Sequence, residues 1–191
     1  LKQRFLAEAN AHAGIKRANV GGWHSTPEVA LRPEPCFQTA IQIIVDHTID
    51  SMRLFAQSMG QQDIPPVRCG ARAWAMIMRD GDYTILHYHG NAHWSASYYI
   101  DAGNADLAQH PESGLFVVTD PRGSIRPIPG IEEAQASQFT IRPQTGRLVI
   151  FPAWLPHHVH TYRGTQPHIT LACNLTISLL PSASPPFTSQ G

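Results

Sequence analysis

The spacing of apolar residues divides the chain into a helical front and a strand-rich remainder. Leu1, Phe5 and Leu6 give residues 1–13 one apolar edge, enough for a short amphipathic helix. N-V-G-G-W-H-S at 19–25 reads as a turn, with adjacent glycines before an aromatic residue. Pro33 and Pro35 precede the clearest helical pattern in the chain. Phe37, Ile41, Ile44, Val45, Thr48, Ile49, Met52 and Phe55 recur at steps of three and four, which predicts a helix over 37–59 with this whole stripe in the core. Gly60 and Q-Q-D-I-P-P end it.

From residue 71 the period shortens to two. A-R-A-W-A-M-I-M-R predicts a strand, closed by D-G-D at 80–82, a hairpin-type turn. Further strands are predicted at Y-T-I-L-H-Y-H, at 94–101 (W-S-A-S-Y-Y-I-D) and at 115–120 (L-F-V-V-T-D). Q-F-T-I-R-P and R-L-V-I-F-P flank the turn Q-T-G, and H-H-V-H-T-Y-R-G and H-I-T-L-A-C-N-L-T-I-S complete the set. Helices first and then seven or eight short strands predict a mainly β protein, a double-sheet sandwich or jelly roll, with the helices on one outer face. Residues 1–180 are expected to form a single domain, 1–60 a helical support and 71–178 the β core; the Ser/Pro-rich 181–191 is expected to be a flexible tail.

Composition narrows the function classes. In 191 residues, 14 Lys plus Arg balance 14 Asp plus Glu, so no basic face is offered to nucleic acid and no polybasic run to a membrane. Cys36, Cys69 and Cys173 form no C-x-x-C pair, which speaks against a Cys-rich zinc site and for a reducing compartment. No apolar run is long enough to span a bilayer, and L-K-Q-R-F-L-A-E has no signal-peptide core. These features predict a cytoplasmic protein; self-association into a homo-oligomer is left open.

Seven of the eleven histidines fall in two clusters about seventy residues apart: His87, His89 and His93, then His157, His158, His160 and His168. Neutral imidazole is the commonest ligand for transition metals. On a strand, positions i and i+2 share a face, so His87 and His89 can converge on one centre. Alternation puts His157 with Val159 on one face and His158 with His160 on the other, so the latter two are read as surface residues. Asn91, Ser95 and Tyr99 stand beside the first cluster as orienting groups or ordinary strand residues, and Trp94 and Trp154 either wall a pocket or pack.

H-x-H-x-N-x-x-x-S at 87–95, D-P-R at 120–122 and G-R-L-V-I-F-P-A-W-L-P-H-x-V at 146–159 resemble a bacterial family of Fe(II)/2-oxoglutarate-dependent oxygenases. G-G-W-x-S at 21–25 and the final strand with Asn174 are similar to it too. The resemblance spans residues 20–176 and implies the double-stranded β-helix, a cupin-like jelly roll related to the prolyl-4-hydroxylase group. It implies Fe(II) held by H-x-D/E plus a distal His, with open positions for 2-oxoglutarate and O2. Carried over by position, His87, His89 and His157 are the ligands, with His89 where a carboxylate is expected; Asp120 is the alternative carboxylate. Where the superfamily holds the cosubstrate with an Arg, this chain has His168-Ile169-Thr170. The cosubstrate is therefore expected on His168 and Thr170, or on Arg122 or Arg72 acting in place of that Arg, with Asn91 alongside.

The implied activity is hydroxylation of a small-molecule, amino-acid or peptide substrate with O2. The alternative is a cupin-like three-His metal enzyme, a dioxygenase or isomerase that works without 2-oxoglutarate; a non-catalytic β-sandwich with adventitious metal is the third reading.

Overall fold

The computed structural model describes residues 1–122, 128–130 and 137–180; the tail expected over 181–191 lies outside the described residues. Along the chain run α1 (Lys2–Ala11), β1 (Asn19–Val20), β2 (Trp23–His24), α2 (Pro35–Ser58), β3 (Val67–Met78), β4 (Tyr83–His87), β5 (Trp94–Asp101), β6 (Phe116–Thr119), β7 (Gln138–Ile141), β8 (Leu148–Pro152), β9 (His157–Val159) and β10 (His168–Leu179). They form two five-stranded sheets, β2-β3-β10-β5-β8 and β1-β4-β9-β6-β7, in which every paired strand is antiparallel. This is the mainly β jelly roll that the sequence predicts.

The major sheet has two apolar faces with different tasks. In β3, Ala73, Ala75 and Ile77 are fully buried against the helices, and in β10 so are Ile169, Leu171, Cys173 and Leu175. Phe5 of α1 and Phe37, Ala40, Ile41 and Ile44 of α2 complete that core. The alternate residues, among them Trp74, Met76 and Met78 of β3 and His168, Thr170 and Asn174 of β10, turn toward the minor sheet. A second core of Tyr99, Phe116, Val118, Val149 and Phe151 lies between the sheets. The helical layer is fastened at its edges by Lys2 to Asp101 (2.6 Å) and by Arg32, which grips Glu8 through two bonds (2.7 and 2.9 Å) and lies over the rings of Phe5 and Phe37.

Three expectations change. The stripe of α2 is buried through Thr48, but Phe55 is 62% exposed. Phe37 and Phe55 lie eighteen residues apart, about five full turns, and share an azimuth. The buried position in the last turn is instead Ala56, 6% exposed, so at this end the buried edge passes to the next residue and leaves Phe55 outside it. The D-G-D segment makes a turn but no hairpin, because β3 and β4 belong to different sheets. Its Gly81 N–H instead donates to the Tyr162 carbonyl (2.9 Å), and Asp82 accepts from the Arg79 N–H (2.7 Å). Finally, the turn at 19–25 carries two short strands, β1 in the minor sheet and β2 in the major one. Gly21 and Gly22 (φ +68° and +59°) switch the chain between them, and a Cβ on Gly21 would lie 1.9 Å from Asp82 Oδ1.

Candidate metal centre and adjoining cavities

His87 ends β4 and His157 begins β9, and the two are cross-strand partners. The β4–β9 ladder is irregular between Thr84 and His87, where the Thr84 hydroxyl accepts the Val159 N–H (2.7 Å) in place of a backbone bond. His89 lies beyond β4 in a loop, held by its own N–H donating to the Ala153 carbonyl (2.8 Å). Pro152 and Pro156 bracket the turn that delivers His157. The three rings lie 4.3 to 5.2 Å apart between centroids, and one ring nitrogen from each comes within 4.8 Å of the others. A single ion can therefore be reached by all three.

Two of the imidazoles are oriented by the same device. His87 Nδ1 bonds the Ile85 carbonyl and His157 Nδ1 the Leu155 carbonyl, each at 2.8 Å and each two residues back. A carbonyl accepts only, so Nδ1 carries the proton and Nε2 keeps its lone pair, the state a metal requires. His89 packs edge-on to Trp74 (5.5 Å), and Phe116 and Phe151 close on His157 at 5.5 and 4.8 Å. Burial lowers the basicity of all three, His157 to about 3 and His89 to about 4, with repulsion from neighbouring imidazoles adding to the shift at these two. They are neutral at physiological pH, and binding an ion displaces no proton from Nε2.

Two spaces adjoin the cluster. An inner void of about 60 Å³ lies between the sheets, with Thr84, Ser95, Tyr99, Phe116, Phe151, His168 and Thr170 in its lining. An outer cavity of about 410 Å³ also borders the cluster, bounded by Ile15, Arg17, Ala18, Asn19, His24, Arg72, Trp74, His87, His89, Asn91 and Asn174.

The remaining predicted residues scatter. His168, 2% exposed, reaches the inner void wedged against Tyr99 and Tyr162, and burial holds it down to about 4; Thr170 lines the same void. Ser95 also lines it and donates to Asn174 Oδ1 (2.9 Å). Asn91 and Arg72 border the outer cavity. Asp120 and Arg122 border neither: they pair with each other at 2.6 Å, and the structure does not bring them to the histidine cluster. His93 accepts the Ile177 N–H (2.9 Å), while His158 and His160 pack together on the other face of β9. Trp94 packs into the helical core and Trp154 is exposed. His24, Trp74 and Arg17 were not singled out by the sequence. His24 stacks on Trp74 (5.7 Å, 8° between planes), and the alternation Arg72-Trp74-Met76 against buried Ala73-Ala75-Ile77 was the available signal.

Two antiparallel sheets with a three-imidazole cluster between them, His157 buried and His87 and His89 half-buried, form a cupin-like jelly roll with a group that could hold a metal ion. Residues 72–174, more than half of the chain, match the family described as "Putative 2OG-Fe(II) oxygenase", and the chain belongs to that family. No curated protein sequence matches it. Among solved structures it is similar to the non-haem α-ketoglutarate-dependent epimerase SnoN from nogalamycin biosynthesis (14% identity, TM-score 0.56, 98% of this chain and 79% of that one). It is also similar to the viral collagen prolyl hydroxylase of Paramecium bursaria Chlorella virus-1 in its 2-oxoglutarate complex (13%, 0.52, 93% and 89%). At these identities the likeness establishes the fold. An oxidoreductase of the 2OG-Fe(II) oxygenase family from Burkholderia pseudomallei matches at 16% identity with a TM-score of 0.49; the alignment covers 74% of this chain and 58% of the length of that protein. Among the described residues no helix is long and apolar enough to cross a membrane.

Proposed function

We propose that residues 1–180 act as a single-domain Fe(II)-dependent oxygenase in which His87, His89 and His157 hold the iron and 2-oxoglutarate is the cosubstrate. The reaction proposed is hydroxylation of a C–H bond in a small molecule, amino acid or peptide. The observation that carries this reading is the convergence of three neutral imidazoles, two with Nδ1 tied to the backbone and Nε2 left over for an ion. The donor set fits Fe(II): imidazole suits iron, and three ligands leave coordination positions for other molecules. When bound, Fe(II) with 2-oxoglutarate supplies O2 activation coupled to decarboxylation of the 2-oxo acid to succinate.

The protein's own part is to orient and to shield. Phe116, Phe151 and Trp74 hold water away from the imidazoles and fix their planes. The Ser95–Asn174 pair keeps two polar side chains beside the cluster without placing a charge there. His168 and Thr170 are among the polar groups that line the inner void. A cytoplasmic setting with no nucleic-acid or membrane partner is part of the proposal, supported by three free cysteines and a net charge of zero.

One observation favours the second reading, a three-His enzyme independent of 2-oxoglutarate. The inner void holds no Lys or Arg, and at about 60 Å³ it is far below the roughly 300 Å³ of the smallest ordinary ligand pockets. A dicarboxylate buried there would meet only neutral polar groups, among them Thr84, Ser95, Tyr99, His168 and Thr170, and a buried carboxylate without a cationic partner costs several kcal/mol, on the order of the values for isolated buried ions. Anaerobic reconstitution with Fe(II), with and without 2-oxoglutarate, separates the two. A visible charge-transfer band that needs both, followed by succinate on admitting O2, is the expected result. Stoichiometric iron with no band and no succinate establishes the second reading instead.

A further inference from the structure

We propose that the outer cavity is the docking chamber for a small carboxylate-bearing ligand, anchored by Arg17 and Arg72 against the wall formed by Trp74 and His24. The inference rests on the reading of the histidine cluster as the metal centre.

The charge balance of the chamber points one way. Its lining contains Arg17 and Arg72 and no Asp or Glu. Among the described residues neither guanidinium is in an ion pair; Arg68, Arg79, Arg142 and Arg147 share that state, but Arg17 and Arg72 are the two that line this cavity. Two cations left uncompensated at the rim of one cavity create a positive field, and the cavity walls focus it. A divalent ion on three neutral imidazoles would keep its full charge, so nothing in the ligand set offsets that field. An anion that spans the cavity supplies the missing negative charge. Guanidinium matches a carboxylate with two parallel N–H donors, which selects that group over a neutral amide or alcohol.

Size and construction agree. About 410 Å³ falls within the range of small-molecule sites, and the cavity reaches His87 and His89 directly. The segment that carries Arg17 is held in place: the Ile15 N–H donates to the His24 carbonyl (2.8 Å), Trp23 Nε1 to the His12 carbonyl (2.9 Å) and the Arg17 N–H to Asn19 Oδ1 (2.8 Å). Arg72 projects from β3 two residues before Trp74, on the same face of the strand. The stacked His24 and Trp74 rings give the chamber a flat wall. The carboxylate can come from two sources, the 2-oxo acid cosubstrate or the molecule to be oxidised.

The test uses the full chain loaded with redox-inert Zn(II), titrated calorimetrically with 2-oxoglutarate. A second titration adds benzoate in the presence of saturating 2-oxoglutarate, with benzamide as the uncharged control. Arg17→Gln, Arg72→Gln and the double variant are compared with wild type, with zinc content and melting temperature measured on each. If the chamber holds the cosubstrate, the double variant loses at least tenfold in 2-oxoglutarate affinity at unchanged zinc content. If it holds the substrate, 2-oxoglutarate affinity stays and benzoate binding is lost. In either case Arg→Lys retains part of the affinity, and binding weakens as salt rises. Equal affinities for both probes in wild type and double variant, or binding of neither probe to wild type, overturns the proposal. The zinc content of wild type tests the metal reading separately: a wild type that takes up no zinc yet shows Arg-dependent carboxylate binding would sink that reading and leave the chamber standing.

Discussion

Two of the three imidazoles, those of His87 and His157, are fixed by contacts that reach only two residues back along the chain, whereas His89 is held from Ala153 and Trp74. Strand period and a flanking Pro therefore account for the directions of His87 and His157, while His89, expected on the same strand face as His87, lies in the loop beyond β4 and is brought to the cluster by its tertiary contacts. Replacing His157 with Ala is expected to abolish stoichiometric iron in the reconstituted protein by metal analysis; full occupancy in the variant would refute the assignment. Asp120 and Arg122 lie apart from the cluster because D-P-R turns back on itself, and the two opposite charges pair with each other. Arg17, His24 and Trp74 were not legible, since only the tertiary fold brings residues 17, 24 and 74 to one cavity. His168 gives a second prediction at this scale. Burial lowers it from 6.5 to about 4, so the unfolded chain takes up its proton first as pH falls. Its effect is absent above pH 6.5, and stability declines as pH drops from 6.5 toward 4. Between pH 7 and pH 5 this one group should cost about 2 kcal/mol, from roughly 1.4 kcal/mol per pH unit below 6.5. Urea midpoints at the two pH values should show a smaller drop for His168→Asn than for wild type; parallel drops would exclude His168 as a source.

The strands themselves followed closely from period two. W-S-A-S-Y-Y-I-D is β5 from end to end, and β6 to β10 fall within the predicted stretches or a residue beyond. Partner choice was less legible. A turn such as D-G-D specifies a reversal but does not say whether the next strand pairs with the last or crosses to the other sheet; in a jelly roll it crosses. The β1–β2 switch shows what such a crossing requires. Gly21→Ala puts a Cβ into the Asp82 carboxylate at a positive φ, and a loss of about 1–3 kcal/mol is expected from strain of this kind, read as a lowered urea midpoint. Tyr162 anchors the loop after β5 by accepting the Asn104 N–H (3.0 Å) and donating to the Gln166 carbonyl (2.6 Å). Tyr162→Phe should destabilise by about 1–3 kcal/mol, the cost of leaving such groups unpaired. An unchanged midpoint would show that water replaces both bonds.

At the scale of the whole molecule, the major sheet separates support from chemistry. Its odd positions in β3 and β10 meet the helices, and its even positions meet the cavities. Truncating Phe37 to Ala should therefore cost about 3–5 kcal/mol in chemical denaturation, as large buried aromatics do, while metal stoichiometry in the folded protein stays unchanged. A loss of metal in folded Phe37→Ala would show that the helical layer shapes the site. The β4–β9 pairing carries a consequence of a different kind. His87 and His157 face each other across the ladder with four strands, β5 to β8, in the chain between them. An ion shared by the two would close that excursion as a reversible cross-link, and the entropy of loop closure depends only weakly on its length. By mass action the ion then stabilises the closed barrel. Losing it would free two strand ends to part. On the proposed ligand set, metal supply would then govern how long the β4–β9 pairing stays closed as well as the chemistry.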